Sequence, residues 1–410
     1  MGEDMIREGD NMMGVKRANR SAVLRILHEQ GGMSRKRLSE SIKLTPAAIT
    51  KIIGELIDEG LVRDGKLIPG GGAGRREVSV ELDEQSRCAL GLLINLNQAI
   101  VSAVWLDGTV VFSEDIPVEP CAPADETVNY LCTRLMSLAQ ENKLKKEQLL
   151  GVGIAIRGIT SSDERSVHNS FGALDCADYP LAQRVEDYTG LSAVMANNVR
   201  ALFAAQMYLS RDKELHSQFF LRCEYGIGAS LSINDRIWLG GTNQCSEIGH
   251  IPIVRRGGKP CSCGKSGCLE TIASPTAIRE DALALLSPTE TPVLWKMSLA
   301  KGSDELTVKD VLEAASCGDA GAAGIVDRAV TALASALKSV VYVIDPEKIV
   351  LYGKMFENEF FLARLMAEMQ EGVDAGHRVV TEKSAYNQLL ENKAAGLLMV
   401  EHFIESGGMP

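Results

Sequence analysis

The sequence predicts a small head of helices and a β-hairpin, followed by an α/β body of two lobes. Three observations predict it. Helical periodicity recurs in three segments, each closed by glycine or a turn, and two short strands follow, so a separate head occupies residues 15–84. A strand-strand-strand-helix-strand order then begins near Ser86, and a second strand set starts at Gln218. After that second set comes Glu247–Glu270, EIGHIPIVRRGGKPCSCGKSGCLE, a Gly- and Pro-rich loop with one imidazole and three thiols.

A chain of 410 residues exceeds one small domain and implies two or three compact units. Apolar content of 45% with 24% charged residues is ordinary for a globular protein. Met1–Asn11 is acidic and polar, unlike a signal peptide, and no apolar run approaches the roughly 20 residues that span a bilayer. A cytoplasmic protein without a membrane partner is therefore expected, with its ten cysteines reduced. The net charge of −11 argues against nucleic acid for the chain as a whole. Between Val15 and Arg76, however, thirteen Lys or Arg face six acids, a local balance of +7. A basic head on an acidic body is the asymmetry expected when one end meets phosphate.

Residues 1–14 read as a disordered acidic leader, with Met12 and Met13 as further candidate starts. From Ala18 to Gln30 the residues Ala22, Val23, Ile26 and Leu27 fall at helical spacing, and Gly31-Gly32 ends the run. Ser34 caps a short second helix with Leu38 and Ile42 inward. Thr45 before Pro46 places a cap next to a proline at the first helical position. Ala48, Ile49, Ile52, Ile53, Leu56 and Ile57 form the buried stripe of this third helix, which Gly60 stops. With strands at Leu61–Ile68 and Glu77–Leu82, the head is a winged helix-turn-helix domain. The plainer alternative is a three-helix scaffold with a solvated basic face.

The third helix of such a unit enters the major groove of double-stranded DNA. Thr45, Ala47, Thr50 and Lys51 are its candidate contacts, and Ser34, Arg35 and Lys36 are placed for backbone phosphate. Pro69–Arg76 is a Gly-rich loop ending in Arg75 and Arg76, which suit a narrow minor groove; a mobile linker with two incidental charges accounts for them equally. A two-fold operator would ask for a homodimer or homotetramer.

In the body, strands are expected within Ala89–Val104 and at Val110–Phe112, with Asp107-Gly108 as a hairpin turn, then a helix at Asp125–Asn142 and a strand at Leu149–Ile156. The second lobe has strands at Gln218–Glu224, Ile227–Asn234 and Arg236–Leu239, then the Cys loop and several helices. Val340–Tyr352 reads as strand and Tyr386–Ser406 as helix. The expected division is a first lobe at 85–198, a second at 199–385, and a C-terminal helix in 386–410 packing back on the body. This order suits an actin-like fold.

His250, Cys261, Cys263 and Cys268 are the four ligands that tetrahedral Zn²⁺ requires, and they leave no open position for a catalytic water. The metal is expected to be structural and to brace the flanking carboxylates Glu247 and Glu270. Buried reduced thiols without a metal are the alternative, disfavoured by three Cys and a His at this density.

The run Glu247-x-Gly249-His250, with Cys261-x-Cys263-Gly264-x-x-Gly267-Cys268-Leu269-Glu270, closely resembles the signature of the ROK family of bacterial sugar kinases and sugar-responsive repressors. The resemblance implies an actin-like (ribonuclease H-like, hexokinase-type) two-lobed body and places Asn169, Asn197, Asn198, Glu247, His250 and Glu270 at a sugar pocket. ROK repressors also carry a winged helix and a Gly-Arg segment ahead of that body. ROK kinases carry an Asp-x-Gly-Gly-Thr turn where this chain has Leu93-Ile94-Asn95-Leu96-Asn97. Their Gly-Thr-Gly-x-Gly turn is here Glu224-Tyr225-Gly226-Ile227-Gly228, and their Asn-Asp is Asn197-Asn198. An amide cannot take a proton from a hydroxyl, and Glu224 would repel a triphosphate. Sugar binding kept and phosphoryl transfer lost describes a sugar-responsive repressor of carbohydrate genes, not an enzyme. The alternative is an ATP-dependent ROK sugar kinase with a fused DNA-binding domain. Arg157 and Arg200 are placed either to receive a sugar phosphate or to form ordinary ion pairs.

Overall fold

A computed structural model of the chain describes residues 12–68, 77–210, 215–371, 379–384 and 388–409. It divides into two units, Met1–Arg211 with Gln388–Pro410, and Asp212–Asn387.

The first unit opens with α1 (Met12–Gln30), β1 (Met33–Ser34), α2 (Arg35–Ile42), α3 (Pro46–Asp58), β2 (Val62–Ile68) and β3 (Glu77–Leu82). The expected caps are present: Ser34 Oγ accepts from Arg37 N at 3.3 Å, and Thr45 Oγ1 accepts from Ala48 N at 3.3 Å. Val23, Leu24, Leu38, Ile49, Ile53 and Leu56 are buried between the helices. The strands form one antiparallel sheet, β1-β3-β2. β1 was not predicted, because two residues carry no alternation to read. α1 begins at Met12, so Met12–Gly14 are helix and not leader; the rest of the expected leader lies outside the described residues.

The unit continues with β4 (Cys88–Ile94), β5 (Gln98–Trp105), β6 (Val110–Pro117), β7 (Ala122–Pro123), α4 (Ala124–Glu141) and β8 (Leu149–Ile156). Four short strands follow, β9 (Ile159–Thr160), β10 (Val167–Asn169), β11 (Leu174–Asp175) and β12 (Ala177–Tyr179), then α5 (Leu181–Thr189), β13 (Ala193–Asn197) and α6 (Asn198–Leu209). The main sheet has the order β13-β8-β4-β5-β6, with β4, β8 and β13 parallel and β4-β5-β6 an antiparallel meander. Every residue of β4 is buried, because helices cover both of its faces. On one face Leu90, Leu92 and Ile94 meet Val128, Leu131 and Leu135 of α4. On the other lies the C-terminal helix, Gln388–Glu405. It comes so close that a Cβ on Gly153 would lie 1.7 Å from the Ala395 carbonyl oxygen. α6 belongs to this unit, although the expected second lobe began at 199.

The second unit comprises β14 (Ser217–Cys223), β15 (Ile227–Ile233), β16 (Arg236–Ile237), α7 (Glu270–Ala273), α8 (Pro275–Ala284), α9 (Pro292–Lys301), α10 (Val308–Ser316), α11 (Ala320–Ile344), β17 (Lys348–Tyr352), α12 (Glu359–Gln370) and β18 (Val380–Lys383). Its sheet, β16-β15-β14-β17-β18, repeats the first: a meander extended by two parallel strands. The expected strand at Val340–Tyr352 is corrected here. Val340–Ile344 is the last turn of α11, and only Lys348–Tyr352 is strand. The β-branched run reads as strand locally, but an Ala-rich helix already packed in the core propagates through it until Asp345-Pro346. α11 is also long and apolar enough to cross a membrane, a feature the sequence reading missed; 56% of its most apolar window is buried inside the protein.

Candidate functional site

The head presents a mixed surface. Thr45, Ala47, Thr50 and Lys51 are all exposed along the start of α3. The Thr50 hydroxyl donates to the Pro46 carbonyl at 2.7 Å, so its methyl and Lys51 are the more available features. Lys36 is exposed, whereas Ser34 is buried with its oxygen engaged as the cap of α2. Arg35 pairs with Asp64 at 3.0 Å, an exposed pair that is cheap to break. Arg75 and Arg76 lie outside the described residues.

Not all of the head's positive charge faces outward. Arg20 is 1% exposed; its Nε donates to the Gly407 carbonyl at 2.7 Å, and its Nη1 reaches Glu59 at 2.9 Å and Glu55 at 3.3 Å. Burial works against its charge, and the carboxylates of Glu59, at the C-cap of α3, and Glu55, within it, more than offset that. Arg25 likewise pairs with Glu401 of the C-terminal helix at 2.6 Å. Sequence alone counts both as surface basic residues. Only the fold reveals that they fasten α1 to α3 and to the chain's end.

In the second unit the imidazole and three thiols converge. Their ligand atoms lie within 4.8 Å of one another and could hold a metal ion. Gly264, at φ 82, turns the chain so that its N–H bonds to the Cys261 carbonyl at 3.0 Å, bringing Cys261 and Cys263 to one side. Cys261 Sγ is 3.5 Å from His250 Nδ1, and Cys263 Sγ is 3.7 Å from Cys268 Sγ. A disulfide would need about 2.05 Å. Edges of about 3.8 Å between sulfurs and about 3.5 Å from sulfur to nitrogen belong to a tetrahedron around a cation bound at about 2.3 and 2.0 Å. The residues therefore fit a tetrahedral metal. Burial pushes the Cys268 thiol up to about 12, with Cys263 and Cys261 adding to the rise. Burial acts the same way on Cys263, yet a backbone hydrogen bond from Lys265 and the neighbouring Cys261 and Cys268 bring it below the ordinary thiol range.

The carboxylates beside this loop differ. Glu247 is exposed and precedes the turn Ile248–His250. Glu270 opens α7, and its Oε2 accepts from Ile227 N at 2.9 Å. A Cβ on Gly226 would lie 2.3 Å from that oxygen, and one on Gly249 would lie 2.1 Å from the Ile227 carbonyl oxygen. The turn Gly226-Ile227-Gly228 thus seats both Glu270 and the His250 segment. Glu224, at the start of the same turn, accepts from Lys354 N at 3.1 Å, a contact sequence does not foretell.

In the first unit the amides lie at the ends of β4, β10 and β13. Asn197 is the cap of α6: its oxygen accepts from Val199 N at 2.8 Å and its amide donates to the Gly158 carbonyl at 2.6 Å. Asn198 is buried and donates to Asn95 Oδ1 at 2.8 Å. Asn169 is exposed, with its oxygen accepting from Phe171 N at 2.8 Å. Asn95 is an addition to the expected set; its signal in the sequence was its place in the altered turn 93–97.

The model of the ROK family matches residues 98–396, and that of the MarR family matches residues 18–64. The DNA-binding transcriptional dual regulator NagC of Escherichia coli (strain K12) is 26% identical over 346 residues, 84% of this chain and 82% of that protein. A glucokinase of Halalkalibacterium halodurans is 32% identical over 212 residues, 51% of this chain and 62% of that protein. Among solved structures, a ROK family transcriptional regulator homologous to the E. coli MLC protein has a TM-score of 0.78 at 22% identity, over 96% of this chain and 97% of that one, a likeness of fold.

Proposed function

The chain belongs to the ROK family, and from that premise we propose that it is a sugar-responsive DNA-binding regulator, a repressor of carbohydrate genes, whose body binds sugar and no longer transfers phosphoryl groups. The single observation that carries the reading is the amide at the position of the base. Asn198 has no proton-accepting carboxylate, and its side chain is tied to Asn95 in the altered first turn. The 224–228 turn supports the same reading. Its backbone donor Ile227 N is already taken by the chain's own Glu270, and the Glu224 carboxylate at its start accepts from Lys354 N.

His250, Cys261, Cys263 and Cys268 would hold Zn²⁺, which supplies rigidity and no chemistry with all four positions filled. Its effect is on Glu270, two residues beyond Cys268, and on Glu247, three before His250. The sugar hydroxyls are recognised by Asn169, Asn197, Asn198, Glu247, His250 and Glu270, a mixture of amides, carboxylates and imidazole suited to a polyol. Operator contacts come from Thr45, Ala47, Thr50 and Lys51, with phosphate contacts from Arg35 and Lys36 and minor-groove contacts from Arg75 and Arg76; Ser34 sets the start of α2. A dimer would match a two-fold operator. Ligand acts by binding one of two arrangements of the protein better than the other, with coupling of about 1–3 kcal/mol.

The 32% identity to a glucokinase favours a second reading, a sugar kinase with a fused DNA-binding head. With ATP, Mg²⁺ and a panel of hexoses, the purified protein is expected to form no ADP above a protein-free blank. Turnover in the range of about 1–100 s⁻¹, ordinary for kinases, would establish the second reading and overturn the first.

A further inference from the structure

Arg200 lies in the first turn of α6, two residues beyond Asn198, and only 8% of it is exposed. Its Nη2 donates to Thr160 Oγ1 at 2.8 Å and pairs with Glu164 Oε1 at 3.1 Å. Thr160 is itself buried, at the end of β9, two residues beyond the Gly158 carbonyl that holds Asn197. The guanidinium therefore sits among the same strand ends as the amides of the proposed sugar set.

Glu164 is the exchangeable member of this group. It occupies a tight turn, its N–H bonded to the Ser161 carbonyl at 2.9 Å, with a left-handed φ of 54 that an ordinary side chain disfavours. Its side chain keeps 31% exposure while that of Arg200 keeps 10%. Burial pushes the Glu164 carboxyl above its ordinary range and Arg200 pulls it back, so the carboxylate gives up hydration to sit there. A phosphate monoester carries more charge and three acceptor oxygens, and it satisfies a guanidinium and a hydroxyl together better than one carboxylate oxygen does.

We infer that Arg200 and the Thr160 hydroxyl form the subsite for the phosphate of a phosphorylated sugar, and that Glu164 fills it until such a ligand displaces it. The inference deepens the sugar-binding reading above and rests on it. The ligand class is then a sugar phosphate ester and not a free sugar, and Glu164 sets an affinity threshold by competing intramolecularly.

The test is calorimetric titration of the full chain with hexoses, pentoses and N-acetylhexosamines, each free and as its terminal phosphate ester, and with inorganic phosphate alone. At least one phosphate ester is expected to bind ten or more times tighter than its parent sugar and than inorganic phosphate. Glu164→Gln, a substitution on a part-exposed turn, is expected to tighten that ester about tenfold and leave the parent sugar unchanged. Arg200→Gln should abolish the preference; because Arg200 is buried, the Glu164→Gln result decides where that variant fails to fold. Free sugars binding as well as their esters, inorganic phosphate binding as tightly as any ester, or an ester affinity that Glu164→Gln does not tighten would overturn the inference while leaving sugar recognition intact. Binding of neither free nor phosphorylated sugars would instead remove the sugar-binding reading itself, and the subsite with it.

Discussion

Arg20→Ala is expected to cost the head about 2–4 kcal/mol and to abolish specific DNA retention. The guanidinium touches Glu55 of α3, Glu59 just beyond its end, and the chain's end through Gly407. Removing it strands the Gly407 carbonyl and Glu59, while Glu55 keeps its pair with Lys16 at 2.8 Å, and it leaves a cavity where the stem packed. The magnitude stays below that of a fully buried pair because Glu59 keeps 41% side-chain exposure and can rehydrate. Loss of the tie shifts α3, whose exposed face carries Thr45, Ala47 and Lys51. Thermal melting followed beside DNA retention checks this. A variant that melts and retains DNA like the parent would show that the tie is dispensable.

Cys263→Ser is expected to lose the bound metal, to destabilise the second unit by several kcal/mol, on the order of a structural site's contribution, and to lose sugar response first. DNA binding should persist, since the head lies in the other unit. The loop around the four ligands has little regular structure: the turn Ile248–His250, the bridges Pro252–Cys268 and Pro260–Ser266, and a few backbone hydrogen bonds such as Leu269 N to the Ile251 carbonyl at 3.0 Å. Without a cation, Cys261 and His250 would lose their shared ligand, and Glu270 would lose the anchor two residues upstream. Metal content and ligand titration on the variant measure both parts. A zinc-free protein with undiminished sugar response would contradict the bracing role.

What could be read from sequence was what local chemistry decides. Ser34, Thr45-Pro46 and Gly60 mark helix ends through bonds made within a few residues, and each end is found close to where it was expected. The four ligands of the Cys loop declare themselves by spacing, because a tight Gly264 turn leaves the thiols few other places to go. The duplicated sheet was half legible: the meanders were, while the parallel strands β13 and β18 were not. Parallel pairing depends on distant segments and carries no short-range signal.

What the sequence did not reveal shares a cause. Val340–Ile344 has strand composition, but a 25-residue helix packed along the core overrides propensity. Arg20 and Arg25 enter the head's basic balance, but a charge count does not reveal that Arg20 is buried or that both are paired with carboxylates. Asn197, expected as a sugar ligand, also proves to be the cap of α6, with its oxygen and amide both committed to backbone. Asn198 is spoken for in part by Asn95, 103 residues away. Each of these partners is remote in sequence, and no periodicity announces it.

The most direct test of the regulator reading is recovery of genomic DNA fragments on the purified full-length protein, with and without a pool of sugars and sugar phosphates. Specific fragments held without the pool and released with it are the predicted result, and the genes beside them would name the sugar. Recovery of no specific fragment in either condition would contradict the account.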